Sequence, residues 1–400
     1  MDIVMLNRRD TANPEGGGSE VYLESIAIGL VAKAHKVTIF CGAHDRAPDH
    51  ETIQGVRFVR AGSKLGVHGK AWQMLRNGSL GRPDVIVDVQ NGIPFFSNLA
   101  IPGVPTVVLV HHLHKEQWPV VYGPVRSRIG WFLESRIAPR VYRRSSYVAV
   151  SQGTKSELVK LGIDPQRISI IYNGTENLPE VHQDSSATTE RDPSPRILVL
   201  GRLVPHKQIE HVLWAASVLR SELPDLRVSV VGDGWWAEEL RDAAVEFGVS
   251  DIVDFTGFCT EDQKHRELAR AWLLALPSLK EGWGIVVMEA ARHGVPAVGY
   301  RSASGVAESI VDRHTGLLVD GGRSEFLEGL RMLLHESELR RQMGEAARSH
   351  SLSFSWERSI DDFESLLRNQ VADPAAHVPQ PRDESVVAEE QAKAAHVRHQ

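Results

Sequence analysis

Leu273-Leu-Ala-Leu-Pro-Ser-Leu-Lys-Glu-Gly-Trp-Gly-Ile-Val-Val-Met-Glu289 reads as a buried strand, a glycine-bearing turn and the opening of a helix. The apolar run Leu273–Leu276 has the length and continuity of a strand covered on both faces. Gly282 and Gly284 permit a tight turn and let a ligand come close to the backbone. The first amides of the helix, Ile285 and Val286 among them, are unpaired donors at the positive end of a helix dipole, which suits a phosphate. Glu281 and Glu289 flank that site. Carboxylates are poor phosphate ligands but good acceptors for sugar and ribose hydroxyls on either side of a diphosphate. The plainer reading of this run alone is a capped helix with surface acids.

The same strand-then-helix unit recurs on both sides. Strands are expected at Ile3–Leu6, Lys36–Phe40, Arg57–Arg60, Val85–Val89, Thr106–Val110 and Tyr147–Val150. They are expected again at Arg196–Leu200, Arg227–Val231, Ile252–Phe255, Leu273–Leu276, Ala297–Val298 and Leu317–Val319. Amphipathic helical patterns such as Ser19–Ala34, Gln208–Leu219 and Ala237–Phe247 lie between them, which argues for parallel sheets covered on both faces. The pattern restarts near residue 195, after an aperiodic stretch rich in Ser, Thr, Pro and Glu. The predicted fold class is therefore α/β, with two tandem Rossmann-like, doubly wound domains and an interdomain cleft. The expected division is a first domain over 1–175, a linker over 176–195 and a second domain over 196–353. A helix over 354–370 is expected to pack back on the first domain, and the polar segment 371–400 to be a disordered tail. Ligands of such sheets bind beyond the C-terminal ends of the strands, here in the cleft.

Bulk composition narrows the class. Of 400 residues, 42% are hydrophobic and 24% charged, as in a globular protein. The two cysteines, Cys41 and Cys259, have no metal-ligand spacing and fit a reducing compartment. The chain starts directly in a strand-like run, and no stretch approaches the ~20 apolar residues of a membrane span; a cytoplasmic protein is expected. The net charge of −6 divides into +7 over residues 1–175 and −13 over the rest. The basic half is suited to an anionic neighbour, unless the acidity lies mainly in a solvated tail.

The run Glu281–Glu289 resembles the Glu-x7-Glu motif of retaining glycosyltransferases of the GT-B fold, in the group named family 4. Gly201-Arg202 followed by Lys207 resembles that family's diphosphate clamp, placed at the end of the first strand of the second domain. Val231-Gly-Asp-Gly234, Phe255-Thr-Gly257 and Thr315-Gly-Leu-Leu-Val319 are similar to its other turns, so the likeness extends through nearly all of the ordered chain. The resemblance implies a hexosyltransferase in which Glu281 contacts the donor sugar, Glu289 the ribose and the backbone near Phe258 the base. It implies that Arg202 and Lys207 hold the diphosphate. Gly17 and Gly18, in Gly16-Gly-Gly-Ser-Glu20, match a loop reaching over the donor. His111, at the end of strand Thr106–Val110, matches a histidine beside the donor sugar. His111, Arg202, Lys207 and Glu281 are thus the expected catalytic residues. Gly17, Gly18, Phe258, Gly282, Trp283, Gly284, Ile285, Val286 and Glu289 complete the donor site. Three positions depart from the pattern: His112 after His111, Trp283 in place of the commoner Phe, and Ser304-Gly-Val-Ala-Glu308 in place of Gly-Gly-x-x-Glu. The last two are expected to tune the donor pocket.

Arginine and lysine form charge-assisted bonds to a leaving group that gains negative charge. The chain has no Asp-x-Asp pair to hold a divalent cation on the diphosphate. No metal and no other cofactor is expected; the nucleotide sugar is a substrate. His111-His-Leu-His114 invites a metal reading, but strand alternation sends His111 and His112 to opposite faces and no downstream cluster completes a site.

Between Trp118 and Arg144 lie six arginines (126, 128, 136, 140, 143 and 144) and one acid, Glu134. Val125, Ile129, Leu133 and Ile137 share a helical face. Such a helix can lie on an anionic membrane at the inner face or grip an anionic or lipid-linked acceptor; otherwise it is a surface helix with a buried stripe. Nucleic acid is not an expected partner, because no recognition module accompanies the charges. The rival readings are a nucleotide-sugar epimerase or sugar phosphorylase of the same fold, and a non-catalytic two-lobed sugar-binding protein. A nicotinamide dehydrogenase would need the Gly-x-Gly-x-x-Gly fingerprint, which is missing.

Overall fold

A computed structural model of the chain describes residues 1–63, 66–175 and 191–373. The first lobe is built on an eight-stranded sheet of β1 (Asp2–Leu6), β2 (Lys36–Cys41), β3 (His50–Ile53), β4 (Val56–Arg60), β5 (Val85–Val89), β6 (Thr106–Val110), β7 (Ser146–Ala149) and β8 (Ile168–Ile170). The second holds a six-stranded sheet of β9 (Arg196–Leu200), β10 (Arg227–Val231), β11 (Val253–Gly257), β12 (Leu273–Leu276), β13 (Ala297–Tyr300) and β14 (Gly316–Val319). All pairings are parallel except β3 against β4. The central strands are buried along their whole length, as continuous apolar runs between two helical layers must be. Two strands, β3 and β8, were not expected from sequence. His50-Glu-Thr-Ile53 is a polar, largely exposed strand, and β8 has three residues at the far edge of the sheet, so neither carries an apolar run.

Strand order explains where a ligand can sit. The first sheet runs β3-β4-β2-β1-β5-β6-β7-β8 and the second β11-β10-β9-β12-β13-β14. The winding direction reverses beside β1 in one lobe and between β9 and β12 in the other, and at such switch points the loops part to leave a crevice. The turn after β9 carries Arg202, the turn after β12 carries Glu281–Gly284, and the loop after β1 carries Gly16–Gly18. Residues far apart in sequence are brought to one place by topology alone.

The loop after β1 is held by a buried ion pair. Arg60, at the end of β4, is 1% exposed and bonds through Nε to Asp10 Oδ2 at 2.5 Å. His44 Nε2 lies 2.9 Å from the other oxygen of Asp10. Arg60 Nη1 also reaches the Pro48 carbonyl at 2.8 Å and Glu51 at 2.5 Å.

The last helix, Trp356–Ala372, lies against the first-lobe helix Gly18–Ala32. Ile360 fills the space over Gly29, and Lys33 pairs with Asp361 at 2.6 Å and Glu364 at 3.0 Å. Phe363, Leu366, Leu367 and Gln370 are buried, and the helix runs two residues into the segment assigned to the tail: Val371 and Ala372 are helical. Residues 374–400 of that tail, and 176–190 of the expected linker, lie outside the described residues.

Candidate active site

The second lobe gathers its expected site residues into one cup. Lys207 ends a short 3₁₀ turn, Pro205–Lys207, and its Nζ bonds directly to Glu281 Oε1. Ser278 Oγ donates to the same oxygen at 2.7 Å. Burial opposes charge on Glu281, but the Lys207 ammonium and the Ser278 hydroxyl more than offset it and hold the carboxyl below its ordinary value. The Leu279 amide bonds to the His206 carbonyl at 2.9 Å, tying the clamp loop to the glycine turn. Gly284 caps the helix Ile285–Arg292 with φ +82°, a conformation that a side chain would strain. The first amides of this helix have no intrahelical acceptors. At the far end, Glu289 pairs with Lys264 at 2.7 Å, and Phe258, just past β11, is 86% exposed.

The first lobe closes over this cup. Arg202 Nη1 donates to the Glu15 carbonyl at 3.0 Å. A Cβ on Gly17 would stand 3.1 Å from Arg202 Nε, and one on Gly18 would stand 2.8 Å from Ile285 Cδ1. The loop after β1 therefore rests on the clamp arginine and the helix start, and its glycines are the residues that allow the approach. Gly282 is equally close to the first lobe: its Cβ would lie 2.6 Å from the His111 carbonyl.

His111 is buried, its ring meets Tyr22 edge-on at 5.3 Å, and Thr154 Oγ1 donates to its carbonyl at 2.8 Å. Its Nε2 is buried without a protein partner among the described residues. Burial, aided by the charge of His114, pushes its pKa down to about 3, so the ring is a neutral imidazole. His206 is pushed down to about 4, again mainly by burial and then by Lys207. His112 turns to Gln117 at 3.1 Å and His114 to Glu134 at 3.1 Å, so the other two histidines of this run are each committed to a different partner.

These depressed values have a sign. In the unfolded chain such rings titrate near ~6.5, so as pH falls the unfolded state takes up protons before the native state does. The stability is fully present above that value and drains away as pH drops toward the native values of about 3 and about 4. The melting temperature is expected to fall between pH 7 and 5, with a shallower fall in His111→Asn. A melting temperature that is flat or rises on acidification would contradict it.

One expectation about the pocket is corrected. The Trp283 ring does not wall the donor site; it is buried against Tyr172 at 4.6 Å and Phe354 at 5.0 Å, inside the core that joins the lobes. Only its backbone belongs to the glycine turn. Ser304 packs against Gly153, and the Glu308 carboxylate accepts the first-lobe amides of Gln152 and Gly153 at 2.9 and 3.2 Å. This segment therefore ties the lobes together, and it also backs the donor cup: a Cβ on Gly305 would stand 2.5 Å from the Glu281 carbonyl and 2.6 Å from the Gly282 backbone. Other contributors were not read from the sequence. Lys280 is buried and pairs across the cleft with Glu116 at 3.1 Å and Glu157 at 2.7 Å. Lys264 neutralises Glu289. A groove of about 820 Å³ runs along the first lobe between the helix Val67–Arg76 and Ile93–Phe96, with Trp72, Phe95 and Arg76 in its lining.

Known proteins resemble this chain across both lobes. Residues 16–176 match the model of Glycosyltransferase Family 4, and residues 181–350 that of Glycosyl transferases group 1. The chain is 28% identical over 346 residues to a GDP-mannose-dependent monoacylated alpha-(1-6)-phosphatidylinositol monomannoside mannosyltransferase of Corynebacterium glutamicum, covering 82% of this chain and 86% of that one. An exopolysaccharide phosphotransferase of Streptomyces coelicolor is 32% identical over 228 residues, 56% of this chain, which spans only 23% of that protein. Among solved structures, sucrose-phosphate synthase from Thermosynechococcus elongatus superposes with a TM-score of 0.79 at 18% identity, over 93% of this chain and 99% of its own. With two family models meeting across both lobes, the chain belongs to the group 1, family 4 glycosyltransferases of the GT-B fold, enzymes that transfer a sugar from a nucleotide-sugar donor.

Proposed function

We propose that the chain is a retaining, metal-independent hexosyltransferase acting on an anionic or lipid-linked acceptor at the inner face of a membrane. The observation that carries this reading is the direct Lys207–Glu281 contact beneath Arg202 and the helix start at Ile285. One acidic and two basic groups in such a cup suit a sugar joined to a diphosphate. Glu281 accepts donor-sugar hydroxyls, and Arg202, Lys207 and the amides of Ile285 and Val286 hold the diphosphate. Glu289 accepts from the ribose, and the backbone at Phe258 meets the base. The neutral His111 ring offers its unpartnered Nε2 to a sugar hydroxyl. Two fixed cations and a helix dipole supply the positive charge that a divalent metal would otherwise bring to the leaving group.

In this reading the acceptor hydroxyl attacks the anomeric carbon on the face from which the diphosphate departs. The anomeric C–O bond breaks as the new one forms, and the hydroxyl proton passes to a phosphate oxygen of the leaving group. No carboxylate in the cup is needed as a nucleophile. The first-lobe groove beside Trp72 and Arg76 is the surface offered to the acceptor. The printed activity of the Corynebacterium relative makes GDP-mannose the first donor to test.

The test is a thermal-shift screen of UDP-, GDP-, ADP- and dTDP-sugars, with and without a chelator. A true donor at a hundred times its Kd should add about 2.7 kcal/mol of stability, unaltered by chelation, and the transferred sugar should keep its anomeric configuration. A chelator-sensitive shift, an inverted product, or isomerisation of the donor without acceptor would each go against the proposal.

A further inference from the structure

We infer that the helical segment Pro124–Val141 is the face by which this protein rests on an anionic lipid bilayer. The segment comprises a helix over Pro124–Phe132, a π-turn over Leu133–Ile137 and a short helix over Ala138–Val141. The π-turn has a local cause. Pro139 has no N–H to give the Ser135 carbonyl, and the register slips so that the Ala138 amide reaches Leu133.

The side of the segment turned toward the protein carries small and polar residues together with Trp131, which packs on the first-lobe core. Ser127, Gly130, Ser135 and Ala138 are buried, with the Trp118 ring seated over Gly130. Three large apolar side chains point the other way. Val125, Ile129 and Phe132, spaced as one helical stripe, are 67%, 55% and 55% exposed. A helix that is anchored by small residues and one tryptophan and still leaves an apolar stripe in water is built for a second apolar medium.

Charge says which medium. Arg126, Arg128, Arg136, Arg140, Arg143 and Arg144 are all exposed, and none has an ion-pair partner among the described residues. Glu134, the acid of this segment, is fully buried. It is occupied by the His114 amide at 3.1 Å, the His114 ring at 3.1 Å and the Trp118 indole at 2.8 Å. The outward face is therefore an apolar stripe among cations, with no anion. A second copy of the chain on the same face would set arginines against arginines, an unfavourable arrangement. Among the described residues no helix is long and apolar enough to cross a membrane, so the contact is peripheral. A bilayer with anionic headgroups satisfies both features: the stripe enters the acyl boundary and the guanidinium groups take the phosphates.

This inference stands apart from the donor assignment and is tested without a donor. The full chain is sedimented with phosphatidylcholine vesicles, with and without phosphatidylglycerol. Binding should be strong only with phosphatidylglycerol and should weaken with salt. Each arginine near an anionic surface changes partitioning by about fivefold. Replacing Arg126, Arg128, Arg136 and Arg140 together by Gln should therefore reduce it at least about a hundredfold. The triple variant Val125→Asn, Ile129→Asn, Phe132→Ser should abolish the salt-resistant part of binding. All seven side chains involved are exposed, so both variants should melt like the parent chain. Equal binding to both vesicle types, or binding unchanged in either variant, overturns the inference. So does a lipid-free dimer, seen by sedimentation velocity, that the triple variant dissolves.

Discussion

Lys207→Ala should lower turnover by about 10²- to 10³-fold, the loss typical of removing one preorganised donor to a developing negative charge, worth ~2.7–4 kcal/mol. Two consequences of the geometry make the effect large. The variant removes a cation from the departing diphosphate, and it leaves the largely enclosed Glu281 with its main counter-charge gone. Burial then dominates that carboxyl and raises its pKa, so the residual activity of the variant should become sensitive to pH where the parent enzyme is not. Adding Glu281→Gln removes the stranded charge. The double variant should therefore lose less than the sum of the singles, with a coupling of about 0.5–3 kcal/mol. Steady-state kinetics with saturating acceptor decides the matter, and unchanged turnover in Lys207→Ala would reject its assignment.

Arg60→Met should destabilise the fold by about 3–5 kcal/mol, because Asp10 would be left buried without its cation. Both side chains are 1% exposed, so water cannot take over the lost contact without opening the loop after β1. That loop carries Gly17 and Gly18 to the donor cup, so the damage should also appear as weaker donor binding. The companion variant Asp10→Leu with Arg60→Met buries neither charge and should recover much of the loss. Urea denaturation of the three proteins measures both quantities. A single-variant loss within about 0.5 kcal/mol would mean that the pair behaves as a surface contact.

The parts of the molecule legible in the sequence were those whose signals are local. Central strands such as Val85–Val89 and Arg196–Leu200 are continuous apolar runs, and the clamp and glycine turn follow directly on β9 and β12. Strand β3 escaped notice because an exposed, antiparallel edge needs no apolar pattern. The partners of Lys280 and Glu308 escaped it because they lie on the other lobe, more than a hundred residues away. Trp283 was misjudged for another reason: a motif position fixes where the backbone goes, not which way its ring turns. The stripe Val125, Ile129, Phe132 shows the limit of periodicity itself. The same spacing serves a core-facing helix and a lipid-facing one, and only the exposure of the stripe in the folded chain separates them.

The most direct measurement is a crystal structure of the enzyme soaked with a nucleoside diphosphate. The expected result places both phosphates within hydrogen-bonding distance of Arg202, Lys207 and the amides of Ile285 and Val286, with the ribose at Glu289. A nucleotide seated in the first-lobe groove beside Trp72, with the cup at Glu281 vacant, would contradict the account at its root.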